Sequence, residues 1–139
     1  MQFQSISWMW HKIQMTRGLL KLRSGATDEA ESMFLTGLKV AEEKGEYGLK
    51  GQYSLHLAEL KLHLHQTEEA MQFADAATQI AQEYQLWELG DAYLTLARAK
   101  IQASQTNEAE VLLDKAIDYF RQKGLHHKIQ LVQRLASTL

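Results

Sequence analysis

Thr27-Asp28-Glu29-Ala30, Thr67-Glu68-Glu69-Ala70 and Thr106-Asn107-Glu108-Ala109 are three copies of one phrase. Their alanines recur after 40 and then 39 residues. A constant period of roughly 20–50 residues marks a repeat architecture, in which each unit buries its apolar face against the next. The spacing therefore predicts a stack of similar units.

Each copy lies between two helical patterns. Trp8 to about Ser24 predicts a helix through Ile13, Met15, Leu19, Leu20 and Leu22. Thr27 reads as the N-cap of the next helix, with Asp28 and Glu29 suited to its dipole. That helix carries Ala30, Phe34, Gly37, Leu38 and Ala41 on one stripe of period 3.6 and closes at Lys44-Gly45. In unit two, Tyr47 to about His65 forms the first helix. Thr67 caps the second, whose stripe is Ala70, Ala74, Ala77, Ile80, Ala81 and Tyr84. In unit three, the first helix runs from Leu86 to about Ala103. Thr106 caps a second helix through Ala109, Leu113, Ala116, Ile117 and Phe120, closed by Lys123-Gly124. Leu125 to about Ser137 reads as one more first helix. The expected fold is all-α, an α-solenoid of about seven antiparallel helices. It forms one domain over 1–139, with units at about 8–45, 46–85 and 86–124 and a capping helix at 125–138.

Small residues keep the same register. Gly18, Ala58, Ala97 and Ala136 mark the first helices, and Gly37, Ala77 and Ala116 the second. Small side chains at fixed points let neighbouring helices approach closely, while larger ones such as Phe34 and Phe120 fill the space beside them.

Composition narrows the function classes. The chain has 139 residues, 45% of them hydrophobic and 23% charged, with a formal net charge of −2. There is no basic field for nucleic acid. No cysteine is present, so disulfides and thiol chemistry are excluded. No apolar run is long enough to span a membrane, and the N-terminus lacks the pattern of a signal peptide. A cytoplasmic location is the expectation.

These features resemble the tetratricopeptide repeat family, whose pattern is Leu-Gly in the first helix and Ala-x3-Phe in the second. Leu57-Ala58, Leu96-Ala97 and Leu135-Ala136 take the place of Leu-Gly. Ala30-x3-Phe34 fits outright, Ala109-x3-Leu113 conservatively and Ala70-x3-Ala74 weakly. The family's closing proline is replaced by Gly45, Gln85 and Gly124. The longer period resembles the C-terminal repeats of maltose-type bacterial regulators. The resemblance implies a superhelix whose first helices line a concave face that binds a peptide or partner helix. By register that face would take Lys12, Met15, Thr16, Leu19 and Arg23 from unit one. Unit two would add Gln52, Leu55, His56, Glu59 and His63. Unit three would add Asp91, Leu94, Thr95, Arg98 and Gln102, and the last helix Gln130, Gln133 and Arg134. The carboxylate clamp of chaperone-binding members is not implied, because Met15, Leu19 and His56 stand where it needs Lys and Asn.

No catalytic constellation and no cofactor motif is readable, so a non-enzymatic interaction module is expected, binding another protein or a peptide, with neither nucleic acid nor membrane as partner. It would suit the regulatory part of a larger signalling or transcription-regulating protein. A ligand- or peptide-sensing arm and a homo-oligomerisation module are the alternatives. His56, Glu59 and His63 share a helical face, but histidines seven residues apart are about 10 Å apart along a helix, too far to share a metal. At the N-terminus, Phe3, Ile6, Trp8, Met9 and Trp10 form an apolar end. Trp8 matches Trp87 in register and is expected in the core. Trp10 either folds over the first hairpin or, with Trp8, contacts another chain or domain.

Overall fold

A computed structural model describes the backbone of residues 2–139 and the side chains of residues 7–139. Phe3 and Ile6 therefore lie outside the described side chains. The described residues form seven helices and no strand: α1 (Gln2–Arg23), α2 (Thr27–Lys44), α3 (Tyr47–His63), α4 (Thr67–Glu83), α5 (Leu89–Gln102), α6 (Thr106–Gln122) and α7 (His126–Ala136). Each helix packs on the next, and the first helices also meet directly, α1 with α3 and α3 with α5. This is an all-helical, repeat-like stack. No helix is long and apolar enough to cross a membrane among the described residues.

One device makes all six turns. A single left-handed residue ends each of α1 to α6: Gly25, Gly45, His65, Gln85, Ser104 and Gly124, with φ between 53° and 85°. Its amide bonds back three residues and the next amide bonds back five, as in Gly45 N–H to Glu42 and Glu46 N–H to Ala41. This is the Schellman arrangement, which satisfies the last carbonyls of a helix without proline. It also moves the caps. The N-caps are Ala26, Gln66 and Gln105, with no side-chain bond, and the carbonyl of each accepts from the alanine of the phrase. Thr27, Thr67 and Thr106 are the first helical residues, not N-caps, because the preceding turn already sets the chain's entry angle. Thr67 instead donates to Gln102 Oε1 at 2.9 Å.

The glutamate of the phrase has a partner that the dipole reading overlooked. Glu29, Glu69 and Glu108 pair with Lys21, Lys61 and Lys100 at 2.7, 2.8 and 2.8 Å. Each pair ties the last turn of a first helix to the first turn of its second helix. The phrase's alanines are fully buried.

The small-residue register packs as expected. Ala58, Ala97 and Ala116 are fully buried and Ala77 nearly so. A β-carbon at Gly18 would collide with the Phe34 ring, and one at Gly37 with the Tyr53 ring. Three further expectations change. Helix α5 begins at Leu89, because Leu86–Glu88 form a turn whose Leu86 and Trp87 carbonyls accept from the Tyr119 hydroxyl. Trp87 and Trp8 are 72% and 58% exposed, so neither is in the core. Tyr84 is also exposed and stacks on Tyr47 with ring centres 5.2 Å apart.

Candidate functional site

Six of the expected face residues converge. Lys12, Met15, Thr16, Leu19, Gln52 and His56 line one cleft of about 300 Å³ between α1 and α3, completed by Trp8, His11 and Leu49. The repeat explains why it opens there. Positions 8, 12, 15 and 19 share one side of α1, and 49, 52 and 56 share one side of α3, at the spacing of successive turns. Met15, Leu19 and Leu49 also pack against the core that contains Phe34 and Tyr53, so the apolar lining is anchored from behind.

The polar lining carries no carboxylate. The Lys12 ammonium lies 4.9 Å from the centre of the Trp8 ring. Gln52 donates through Nε2 to Glu88 at 2.9 Å, which fixes the amide. The His56 ring stacks on Phe34 with centres 5.4 Å apart, and its Nδ1 is buried without a hydrogen bond, 3.9 Å from Glu59. Thr16 donates to the Lys12 carbonyl.

His11 forms one wall and is 1% exposed. Its Nδ1 and the Tyr53 hydroxyl are 2.7 Å apart, and its Nε2, without a hydrogen bond, lies 3.9 Å from Glu46. Burial lowers the His11 pKa; Glu46 opposes that and Lys44 adds to it. Burial, reinforced by Glu46, raises the Tyr53 pKa. Both groups are therefore neutral near neutral pH. With Glu46 beside Nε2, the favoured tautomer has its proton on Nε2, and the tyrosine donates to Nδ1. The pair acts as a hydrogen-bonded strut between α1 and α3.

The other expected face residues are not in the cleft. Leu55 and Leu94 are 7% and 4% exposed, and Thr95 is equally hidden. Leu55 packs with Ala77 and Ala92, and Leu94 belongs to the core around Leu113 and Val132. These positions are inside because successive first helices press on one another, so a surface facing the groove at one level is covered at the next. Asp91 is held by Lys128 at 3.1 Å, and Gln102 bridges the Leu62 carbonyl and Thr67. Arg23, His63 and Arg98 are exposed and Glu59 half-buried, outside the cleft. Gln130, Gln133 and Arg134 line, with Ser137, a separate shallow hollow of about 440 Å³ on α7. Trp10 is 38% exposed, its ring edge on His11 at 4.8 Å. His11 and Leu49 carried no signal, because the core register alone does not distinguish a cleft wall from a buried helix face. Among the described residues no three His, Asp or Glu side chains are placed to hold a metal.

No family model matches this sequence, and a search of curated proteins finds no match.

Proposed function

We propose that the chain is a non-enzymatic protein-interaction module of tetratricopeptide type that holds an extended peptide or partner helix in the cleft between α1 and α3. The observation that carries this reading is the convergence of six first-helix residues on one cleft with an apolar floor and one cation, Lys12, at its edge. Peptide sites of this kind combine a pocket for a side chain with polar groups that fix direction. Met15, Leu19 and Leu49 supply the apolar surface. Lys12, Thr16 and the Gln52 amide supply the polar groups. The module would serve as the recognition part of a regulator in the cytoplasm.

Selection from a displayed random-peptide library tests the reading. Peptides that enrich on the chain should lose binding to Leu19→Asp and Lys12→Glu variants whose melting temperatures stay near that of the parent. Failure of any peptide to enrich, or equal binding to both variants, would sink the proposal.

A further inference from the structure

Among the described residues no helix covers the outward side of α1. Ile13, Arg17 and Leu20 fall in register with Tyr53, Leu57 and Leu60 of α3 and with Ala92, Leu96 and Ala99 of α5. The α3 and α5 residues are at most 7% exposed, whereas Ile13 and Leu20 are 49% and 58% exposed and Arg17 is exposed. In α3 this face lies against the preceding second helix, in one core with Ala30, Phe34 and Ala41. In α5 it meets Ala74 of α4. The matching cover for α1 is another second-type helix, with a stripe of small residues.

Charge defines that helix further. No acidic residue occurs in α1, which carries Lys12, Arg17, Lys21 and Arg23. The second helix α4 has Glu68, Glu69, Asp75 and Glu83 and no basic residue. At one junction, α3 on α2, a basic first helix already grips the acidic helix before it. Lys61 reaches Glu31 of α2 at 2.6 Å, and Lys50 reaches Glu42 at 3.7 Å. Lys21, the counterpart of Lys61, has only Glu29 of its own unit. Unit three dispenses with the preceding acid, since Met71 stands in Glu31's place and Lys100 keeps Glu108 alone. Arg17 is therefore the sharper marker: it sits at the centre of a face where the other units bury leucine. An arginine covered there needs a carboxylate opposite it.

We propose that this face docks an acidic amphipathic helix of a partner protein, one with a small-residue stripe and a carboxylate for Arg17. A second copy fits poorly. Pairing α1 with α1 would bring Arg17 and Lys21 against like charges, and the small stripes of α4 are already buried. The site is on the opposite side of α1 from His11 and Gly18 and is independent of the cleft.

The test uses the full chain carrying Trp87→Phe, so that only Trp8 and Trp10 fluoresce, and a hydrocarbon-stapled helix with the sequence of residues 67–83. Stapling removes the cost of ordering a short free helix. Saturable binding is expected, weakened at least about tenfold by Ile13→Asp, by Arg17→Glu and by raising salt from about 50 to about 500 mM. Val111→Asp, on the exposed side of α6, adds the same charge elsewhere and should leave it unchanged. A stapled control with all four acids changed to lysine should not bind. Absence of binding, or binding indifferent to Ile13→Asp and Arg17→Glu, overturns the proposal. So does sedimentation of the chain as a dimer that Ile13→Asp dissociates, which would put a second copy on the face.

Discussion

Lys61 in the last turn of α3 pairs with Glu69 in the first turn of α4 at 2.8 Å, and the same pairing recurs as Lys21–Glu29 and Lys100–Glu108. Only Lys61 is nearly buried, and only it also holds Glu31 of the preceding unit, at 2.6 Å, and Gln66. The three lysines should therefore respond differently to truncation. Lys21→Ala and Lys100→Ala should each cost about 0.5 kcal/mol, as exposed pairs do. Lys61→Ala should cost about 2 kcal/mol, below the usual figure for a broken buried pair because its carboxylate partners reach solvent. Urea midpoints at constant slope measure all three. Burial acts to lower the Lys61 pKa, but the hydrogen bonds to Glu31 and Glu69 outweigh it and raise the value above 10.5. Its contribution is thus complete below pH 10.5 and lost as pH rises through the folded value.

Gly37 has its own signature. The Tyr53 ring fills the space its missing side chain leaves. Gly37→Ala should cost about 3 kcal/mol through overpacking, despite the better helix propensity of alanine. Adding Tyr53→Leu should make the alanine cheaper than it is in the parent, a coupling that a double-mutant cycle reads directly.

Three turns carry a side chain where the backbone is left-handed: His65, Gln85 and Ser104. Left-handed geometry costs a non-glycine residue about 1–2 kcal/mol, offset in part by glycine's greater freedom when unfolded. Replacing each with glycine should raise stability by about 0.5–1 kcal/mol. The sites are separate enough for the gains to add, and thermal denaturation of the triple variant checks both points.

The His11–Tyr53 strut should make stability depend on pH. Burial holds the folded pKa of His11 below its ordinary 6.5, so on acidification the unfolded chain takes up the proton first. Stability then falls as pH drops through 6.5 and levels off below the folded value. Between about pH 8 and about pH 5 the parent should lose more stability than His11→Gln, because glutamine has no charge to gain. Equal losses measured by urea titration would remove His11 from the account.

The helices, their order and the small-residue contacts were legible because they repeat, and a feature recurring every 39 or 40 residues stands out from a background that does not. The Thr-x-Glu-Ala phrase was legible as punctuation but not in its roles. Thr27 looks like a cap until the left-handed Gly25 takes over the turn, and Glu29 looks like a dipole partner until Lys21 is found beside it. The open surface was harder to read. Leu55 and Lys12 are both on the groove side of first helices, yet one is buried and the other exposed. The difference lies in how closely each first helix approaches the next, a distance that no periodicity within a single helix encodes. Trp8 was misplaced because its match, Trp87, lies in a turn: register compares residues only where both helices exist, and α5 starts two residues after Trp87.

The cleft between α1 and α3 is the proposed seat of the partner. Amide and side-chain chemical-shift mapping with a library-selected peptide tests it most directly. The largest changes should fall on His11, Lys12, Met15, Leu19, Leu49, Gln52 and His56. Changes concentrated on the backs of α2, α4 and α6, or on the hollow at Gln130, Gln133 and Arg134, would contradict it.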